Sequence, residues 1–178
     1  NSYILGEYQK NICIIDQHAA HERVNYEKLQ SDSVNIINKQ ELLNPIILNL
    51  DIKENEWLDE NLKMMNEFGF DIESFGILNE WKINRIPSYL INKNIQSTVM
   101  RIISDFANNH SDNNNSDSRL KTLACHSSIE FGDKLSNMEM LKLIEDISKC
   151  KEPWKCPHGR PVLIQINEDE LTKWFSRT

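Results

Sequence analysis

The chain has 178 residues, with 20 Lys and Arg against 27 Asp and Glu, a formal net charge of −7, and 39% hydrophobic residues. That length accommodates one large domain or two small lobes with an ordinary core, while the acidity argues against a self-sufficient nucleic-acid binder, which needs a basic face. No apolar run approaches the roughly 20 residues of a membrane helix, no signal peptide is visible, and without an initiator Met the chain reads as a fragment of a longer protein.

In chain order, YILGEY (3–8) and NICIID (11–16) form a predicted β-hairpin, followed by a helix from about His18 to Leu29. SVNIIN (33–38) and NPIILNL (44–50) read as two strands. Residues 51–68 take helical spacing through Leu58, Leu62, Met65 and Phe68, opened by an Asp51–Glu54 capping box and stopped by Gly69. FDIESFG (70–76) and EWKINRIP (80–87) make a second hairpin, and Ile95, Val99, Ile102 and Phe106 mark another amphipathic helix. The polar, low-complexity stretch 108–118 reads as a surface loop and includes His110, for which no chemical role is expected. A helix over RLKTLACHSSIEF (119–131) stops at Gly132, and a further one opens on the Ser136–Glu139 capping box. CPHGRP (156–161) turns into the strand VLIQIN (162–167), and a short helix, EDELTKWF (168–175), follows. Hairpins and helices without a βαβ rhythm predict an α+β fold. It is expected to be a mixed-sheet lobe with flanking helices, formed by 1–50 and 113–178, with a smaller α+β external lobe (51–112) inserted.

Ligand-type side chains crowd the start of the first helix. His18 and Glu22 lie four apart, on one face of a helix at the spacing that puts two ligands on one ion. Asp16 sits just before them at a strand end, whereas His21 and Glu27 fall off that face. The plain alternative is a polar helix start with incidental histidines, and the spacing is not the HExxH of zincins. In CPHGRP, Cys156 and His158 are two apart on a turn stiffened by Pro157 and Pro161 and freed to bend at Gly159. With Cys125 from another helix, these residues make a mixed donor set. Thiolate and imidazole favour Zn²⁺, and carboxylates admit Mn²⁺ or Mg²⁺. Such pairing of Cys with His fits a reducing compartment better than two disulfides do. Cys13, inside ICII, reads as core.

DQHAAHERVNYE (16–27), with Glu22 and Glu27 separated by four residues, resembles the endonuclease motif of the C-terminal domain of MutL-family mismatch-repair proteins. ACHSSIEFGDKL is similar to the family's second block, CPHGRP to its third, and the FSR ending at Arg177 to its short closing element. The four blocks keep their order across nearly the whole chain. The resemblance implies a latent, metal-dependent endonuclease that nicks duplex DNA and dimerises as a homodimer or with a MutL paralogue. His18, Glu22, Cys125, Cys156 and His158 match the regulatory zinc and metal ligands. Asp16 matches the acidic residue needed for cleavage and a further metal ligand, and Glu22, Glu27 and Arg177 complete the catalytic set. Arg160 and Phe175 are supporting motif positions. His126 stands where many relatives carry Lys or Arg, which leaves the site's pH dependence open.

A well-neutralised Zn²⁺ would be regulatory or structural and a weaker Mn²⁺ or Mg²⁺ the nicking ion; ATP would act only through a missing N-terminal domain. QELLNP (40–45) resembles the family's docking peptide for the replication sliding clamp, with Gln40, Leu42, Leu43 and Pro45 as anchors. Its bland counterpart is a strand entry with a convenient proline. Partners implied are duplex DNA, bound weakly by so acidic a module, the sliding clamp and a MutS-type mismatch-recognition protein, with no membrane. The location implied is the cytoplasm, at the bacterial nucleoid, or the nucleus if the source is eukaryotic. Two competing readings are a catalytically silent dimerisation scaffold with a structural zinc site, and an unrelated zinc-knuckle protein.

Overall fold

The computed structural model describes residues 2–32, 38–76, 79–91, 94–108, 115–130 and 132–176. Its elements begin with β1 (Tyr3–Tyr8), β2 (Asn11–Asp16), α1 (Gln17–Asp32), β3 (Lys39–Asn49) and α2 (Ile52–Glu67). They continue with β4 (Asp71–Ser74), β5 (Glu80–Pro87), α3 (Ile95–Asn108), α4 (Ser116–His126), α5 (Asn137–Ser148), β6 (Leu163–Ile166) and α6 (Glu168–Trp174). The α+β class expected from the sequence is what forms. The pairing among described strands is antiparallel throughout, where a mixed sheet was expected. Two compact units result: Asn1–Glu27 with Ser128–Thr178, and Lys28–Ser127. The strand β3, grouped by the sequence reading with residues 1–50, pairs with β5 inside the second unit.

In the first unit the sheet order is β1-β2-β6. The hairpin turns through Gln9 and Lys10, both at positive φ, the left-handed backbone that suits the twist of a two-residue connection. Strand alternation then divides the sheet's side chains between two faces. Ile4 and Ile15, directly paired, pack with Ala19, Ala20 and Val24 of α1, Leu143 and Ile147 of α5, Cys156 and Val162. On the opposite face Leu5 pairs with Ile14, and Ile14 with Ile164, forming an apolar row of which Leu5 and Ile164 are exposed.

The second unit orders its strands β3-β5-β4, with β5 central. Helix α3 buries Thr98, Val99, Ile102, Ile103 and Phe106, the three-to-four spacing of an amphipathic helix. Phe106 stacks on Trp57 of α2 with ring centroids 5.2 Å apart, and Trp81 of β5 donates its indole N–H to Asn55 at 2.9 Å. Helix α2 has the capping box expected at Asp51 and Glu54, and α5 the one at Ser136 and Glu139.

Three local expectations need correction. The helix expected over 119–131 begins earlier, at Ser116 with Asn115 as its cap, and ends at His126 rather than at Gly132. The ending has a cause: Ser127 returns its hydroxyl to the carbonyl of Ala124, and both backbone polar groups of Ile129 are taken by histidine side chains of α1. The strand expected over 44–50 is part of a longer one, Lys39–Asn49, while the strand expected over 33–38 falls almost wholly on residues 33–37, outside the described residues. Of the polar loop expected over 108–118, Asn108 belongs to α3 and residues 116–118 to α4, while 109–114, with His110, lie outside the described residues.

Phe106 is fully buried against an aromatic neighbour. Phe106→Ala should therefore destabilise the second unit by about 3–5 kcal/mol, read as a lower urea midpoint in tryptophan fluorescence. An unchanged midpoint would mean that this stack is not part of the stabilising core.

Candidate metal centre

Helix α1 begins where β2 ends. Asp16 accepts the Ala19 backbone N–H on Oδ1 at 3.0 Å, a side-chain cap that fixes the helix start. One turn on, His18 and Glu22 stand at i and i+4, and His18 Nε2 is 3.0 Å from Glu22 Oε1. The Glu22 side chain is 1% exposed, a depth at which a carboxylate needs compensating partners.

The hairpin around CPHGRP brings more donors to the same carboxylate. Lys155 bridges Pro161, Val162 N–H donates to the Trp154 carbonyl, and Cys156 N–H to that of Arg160. Gly159, at φ +86°, takes the left-handed conformation that closes this turn, with its N–H on the Cys156 carbonyl. His158 Nδ1 is thereby set 3.4 Å from Glu22 Oε2. Glu22, Cys156 and His158 each offer a donor atom within 4.8 Å of the others. Burial pushes the Cys156 thiol up from its ordinary pKa and the Glu22 carboxylate adds to this, while backbone hydrogen bonds at His158 and Arg160 pull it back.

These residues fit a divalent cation. His18 Nδ1 lies 2.7 Å from the Ile129 carbonyl, which can only accept, so this nitrogen carries a proton. With its one proton on Nδ1, a neutral His18 would turn the lone pair of Nε2 toward a buried carboxylate 3.0 Å away. Two acceptors that close require a proton or a cation between them, and a carbonyl-anchored imidazole is the usual support of a metal-ligating histidine. The mixture of thiol, imidazole and carboxylate is a zinc-type donor set that also admits Mn²⁺.

The remaining sequence candidates distribute as follows. The Asp16 carboxylate, engaged as the cap, is not part of the Glu22–Cys156–His158 group. Glu27, expected in the catalytic set, instead accepts the backbone N–H groups of Lys151 at 2.7 Å and Glu152 at 3.1 Å. Cys125 is the penultimate residue of α4, half-buried, in the second unit. Arg160 is exposed, and its carbonyl closes the hairpin. Phe175, also exposed, caps the end of α6, and Arg177 lies outside the described residues. Cys13 is buried as expected, and the four cysteines are free thiols. His126 Nε2 lies 2.9 Å from Asp105.

Two contributors escaped the sequence reading. His21 accepts the Ile129 N–H on Nδ1 at 3.0 Å, so His18 and His21 grip one peptide residue between them. Arg23, 6% exposed, reaches the loop before Cys156. A buried arginine on a helix beside a ligand carboxylate is a signal that spacing alone does not carry.

In the second unit, Gln40, Leu42, Leu43 and Pro45 all fall on β3, an edge strand. Its register with β5 shifts between Glu41 and Ile46, and Leu43 is fully exposed. Pro45, lacking an N–H, suits such an irregular edge.

Comparison with known proteins adds sequence relationships to this geometry. A family model described as "MutL C terminal dimerisation domain" matches residues 1–135. The chain is 37% identical over 182 residues to DNA mismatch repair protein MutL of Endomicrobium trichonymphae, across 99% of this chain and 30% of that protein. It is 40% identical over 184 residues to the protein of the same name from Clostridium tetani, covering 99% and 29%. With the Dictyoglomus turgidum protein, also so named, identity is 35% over 181 residues, covering 99% and 31%. The chain thus spans under a third of each relative's length. No helix among the described residues is long and apolar enough to cross a membrane.

The raised thiol of buried Cys156 leaves less thiolate at a given pH than an ordinary cysteine has. With a chelator present at pH 7.5, iodoacetamide should modify Cys156 roughly tenfold more slowly than half-buried Cys150. The gap should narrow as pH rises and more thiolate forms. Peptide mass spectrometry measures both rates, and equal rates at pH 7.5 would show Cys156 to be open and ionised.

Proposed function

Because the chain belongs to the MutL C-terminal dimerisation domain family, we propose that it is the C-terminal domain of a MutL-type DNA mismatch repair protein. In this reading it is a latent metal-dependent endonuclease that nicks duplex DNA, dimerises and is activated by the sliding clamp. The observation that carries the reading is the convergence of Glu22, Cys156 and His158 on one point from α1 and the CPHGRP hairpin. Zn²⁺ is the proposed regulatory ion, and Mn²⁺ or Mg²⁺ the nicking ion.

A bound divalent cation supplies positive charge against the phosphate and activates water for phosphodiester hydrolysis. Everything else falls to the chain. Glu22 contributes negative charge from a dry position, where its pull on a cation is little screened. The Ile129 carbonyl orients His18 so that Nε2 faces Glu22. Asp16, at the mouth of the helix, combines capping with an oxygen available for a water or a second ion. Arg160, exposed on the hairpin, is in this reading the residue that meets a phosphate.

Dimerisation is supported by the row of Leu5, Ile14 and Ile164, with Tyr3 and Ile12 also exposed on the sheet. Apolar side chains this open favour a second copy over water. Clamp docking is supported by the irregular edge of β3, which offers Gln40, Leu42, Leu43 and Pro45 as an extended peptide. The acidic balance makes intrinsic DNA affinity low, so clamp, ATPase domain and a MutS-type partner would deliver the substrate. A second reading, a silent dimerisation scaffold with a structural zinc site, is favoured by the burial of Cys156, because closed thiolate sites are commonly structural.

Supercoiled plasmid with Mn²⁺ separates the two readings. The chain should nick, more so with the clamp, and Asp16→Asn should lower the rate about 100-fold or more. Asparagine caps a helix as well as aspartate does, so that loss would be chemical rather than structural. Nicking unaffected by Asp16→Asn would remove this residue from the mechanism, and a folded, zinc-bound dimer that never nicks supports the scaffold. Separately, Leu5→Glu combined with Ile164→Glu should convert the dimer to single chains in light scattering while leaving the circular dichroism spectrum unchanged.

A further inference from the structure

We infer that Arg23 and Glu27 are positioning residues that fasten the segment 151–155 to α1 and thereby set Cys156 and His158 against Glu22. The inference rests on the metal reading above and concerns two side chains that hold none of its donor atoms. Arg23 Nε donates to the Lys155 carbonyl at 2.6 Å, the peptide immediately before Cys156. Its terminal nitrogens lie 3.4 Å from Glu152 Oε2 and 3.8 Å from Glu27 Oε1. Glu27 takes the neighbouring backbone with both oxygens, Oε2 from Lys151 N–H and Oε1 from Glu152 N–H.

The Arg23 side chain is 8% exposed and its guanidinium lies over the Tyr26 ring, 5.5 Å from the centroid. The fork therefore has few alternative positions. A planar guanidinium and a two-oxygen carboxylate each bind in a fixed geometry that lysine and glutamine do not reproduce.

Helix rigidity turns these contacts into a distance constraint. Glu22 and Arg23 are adjacent, and Glu27 is one turn beyond Arg23. The helix that presents the ligand carboxylate also grips the chain one residue before the ligand sulfur. Three backbone groups in the stretch 151–155 end on these two side chains, so α1 holds the stretch through contacts that use none of the donor atoms. Outer partners that orient ligands in this way typically change metal affinity 10–100-fold when removed.

The test is a Co²⁺ titration of the full chain, following both affinity and the thiolate-to-cobalt charge-transfer absorption. Wild type should bind with that band. Arg23→Lys and Glu27→Gln should each weaken binding roughly 10–100-fold and diminish the band, with far-ultraviolet circular dichroism unchanged. Lys155→Ala, which keeps the carbonyl that Arg23 uses, should bind as wild type does. Absence of Co²⁺ binding by wild type defeats the metal reading itself, whereas wild-type affinity and band in both variants overturn the positioning role alone. Should the variants fail to fold, hydrogen exchange on the unaltered protein decides. The Lys151 and Glu152 amides should be protected before as well as after Co²⁺ is added. Protection gained only with the ion would show that the ion, not α1, orders the segment.

Discussion

A carboxylate with 1% exposure, pressed between two imidazoles, is the constraint around which the first unit is arranged. Taking a charge out of water costs several kcal/mol even after relaxation, so Glu22 can remain there only with close, well-aimed partners. Each neighbouring device serves that need. Ile129 holds His18 by its carbonyl, His21 holds Ile129 by its amide, and the CPHGRP hairpin brings His158 to the other carboxylate oxygen. Since Ile129 spends both backbone groups on histidines, α4 has to end before it. A helix boundary and a donor geometry are here one fact.

Helix α1 is an odd core helix for the same reason. It buries Ala19, Ala20 and Val24 against the sheet, yet Glu22 and Arg23 are as deep as its apolar residues. Small side chains at 19 and 20 let the helix lie close to the strands, which shortens the reach of its polar neighbours. Replacing buried ion pairs by apolar residues of like volume is often neutral or stabilising. The presence of Glu22 and Arg23 is therefore better explained by what they hold than by what they contribute to folding.

Much of this was legible in the sequence, and what was missed follows a pattern. Elements with local signals came through: the first hairpin, the capping boxes at Asp51 and Ser136, and the amphipathic stripe of α3. The His18–Glu22 pair and the CPHGRP turn were also visible, because helical spacing and turn chemistry are properties of neighbouring residues. Arg23 and Glu27 were not readable in their roles. Their partners lie more than a hundred residues away, and those partners are backbone groups, which leave no trace in side-chain identity. The end of α4 failed for the same reason. The serines at 127 and 128 weaken a helix there, but the deciding contacts come from α1. The strand β3 was read as beginning only at Asn44, because its first residues are mostly polar, whereas it begins at Lys39 and runs through Pro45 on an edge whose register shifts between Glu41 and Ile46.

The proposed dimer face and the proposed metal centre share their supports. Strand β2 leads directly into α1, and β6 leaves the CPHGRP hairpin after a single intervening residue, Val162. The two strands pair at Ile15 and Leu163, and Asp16 N–H donates to the Val162 carbonyl at 3.0 Å. The segments that carry Glu22 and Cys156 are thus joined by strand pairing as well as through Arg23. A second copy seated on the row of Leu5, Ile14 and Ile164 would stiffen the two strands whose ends set the donor separation. In this reading dimerisation does more than raise local concentration. It steadies the frame on which the donors are hung, and a chain that ligates a metal weakly as a monomer should ligate it better as a pair.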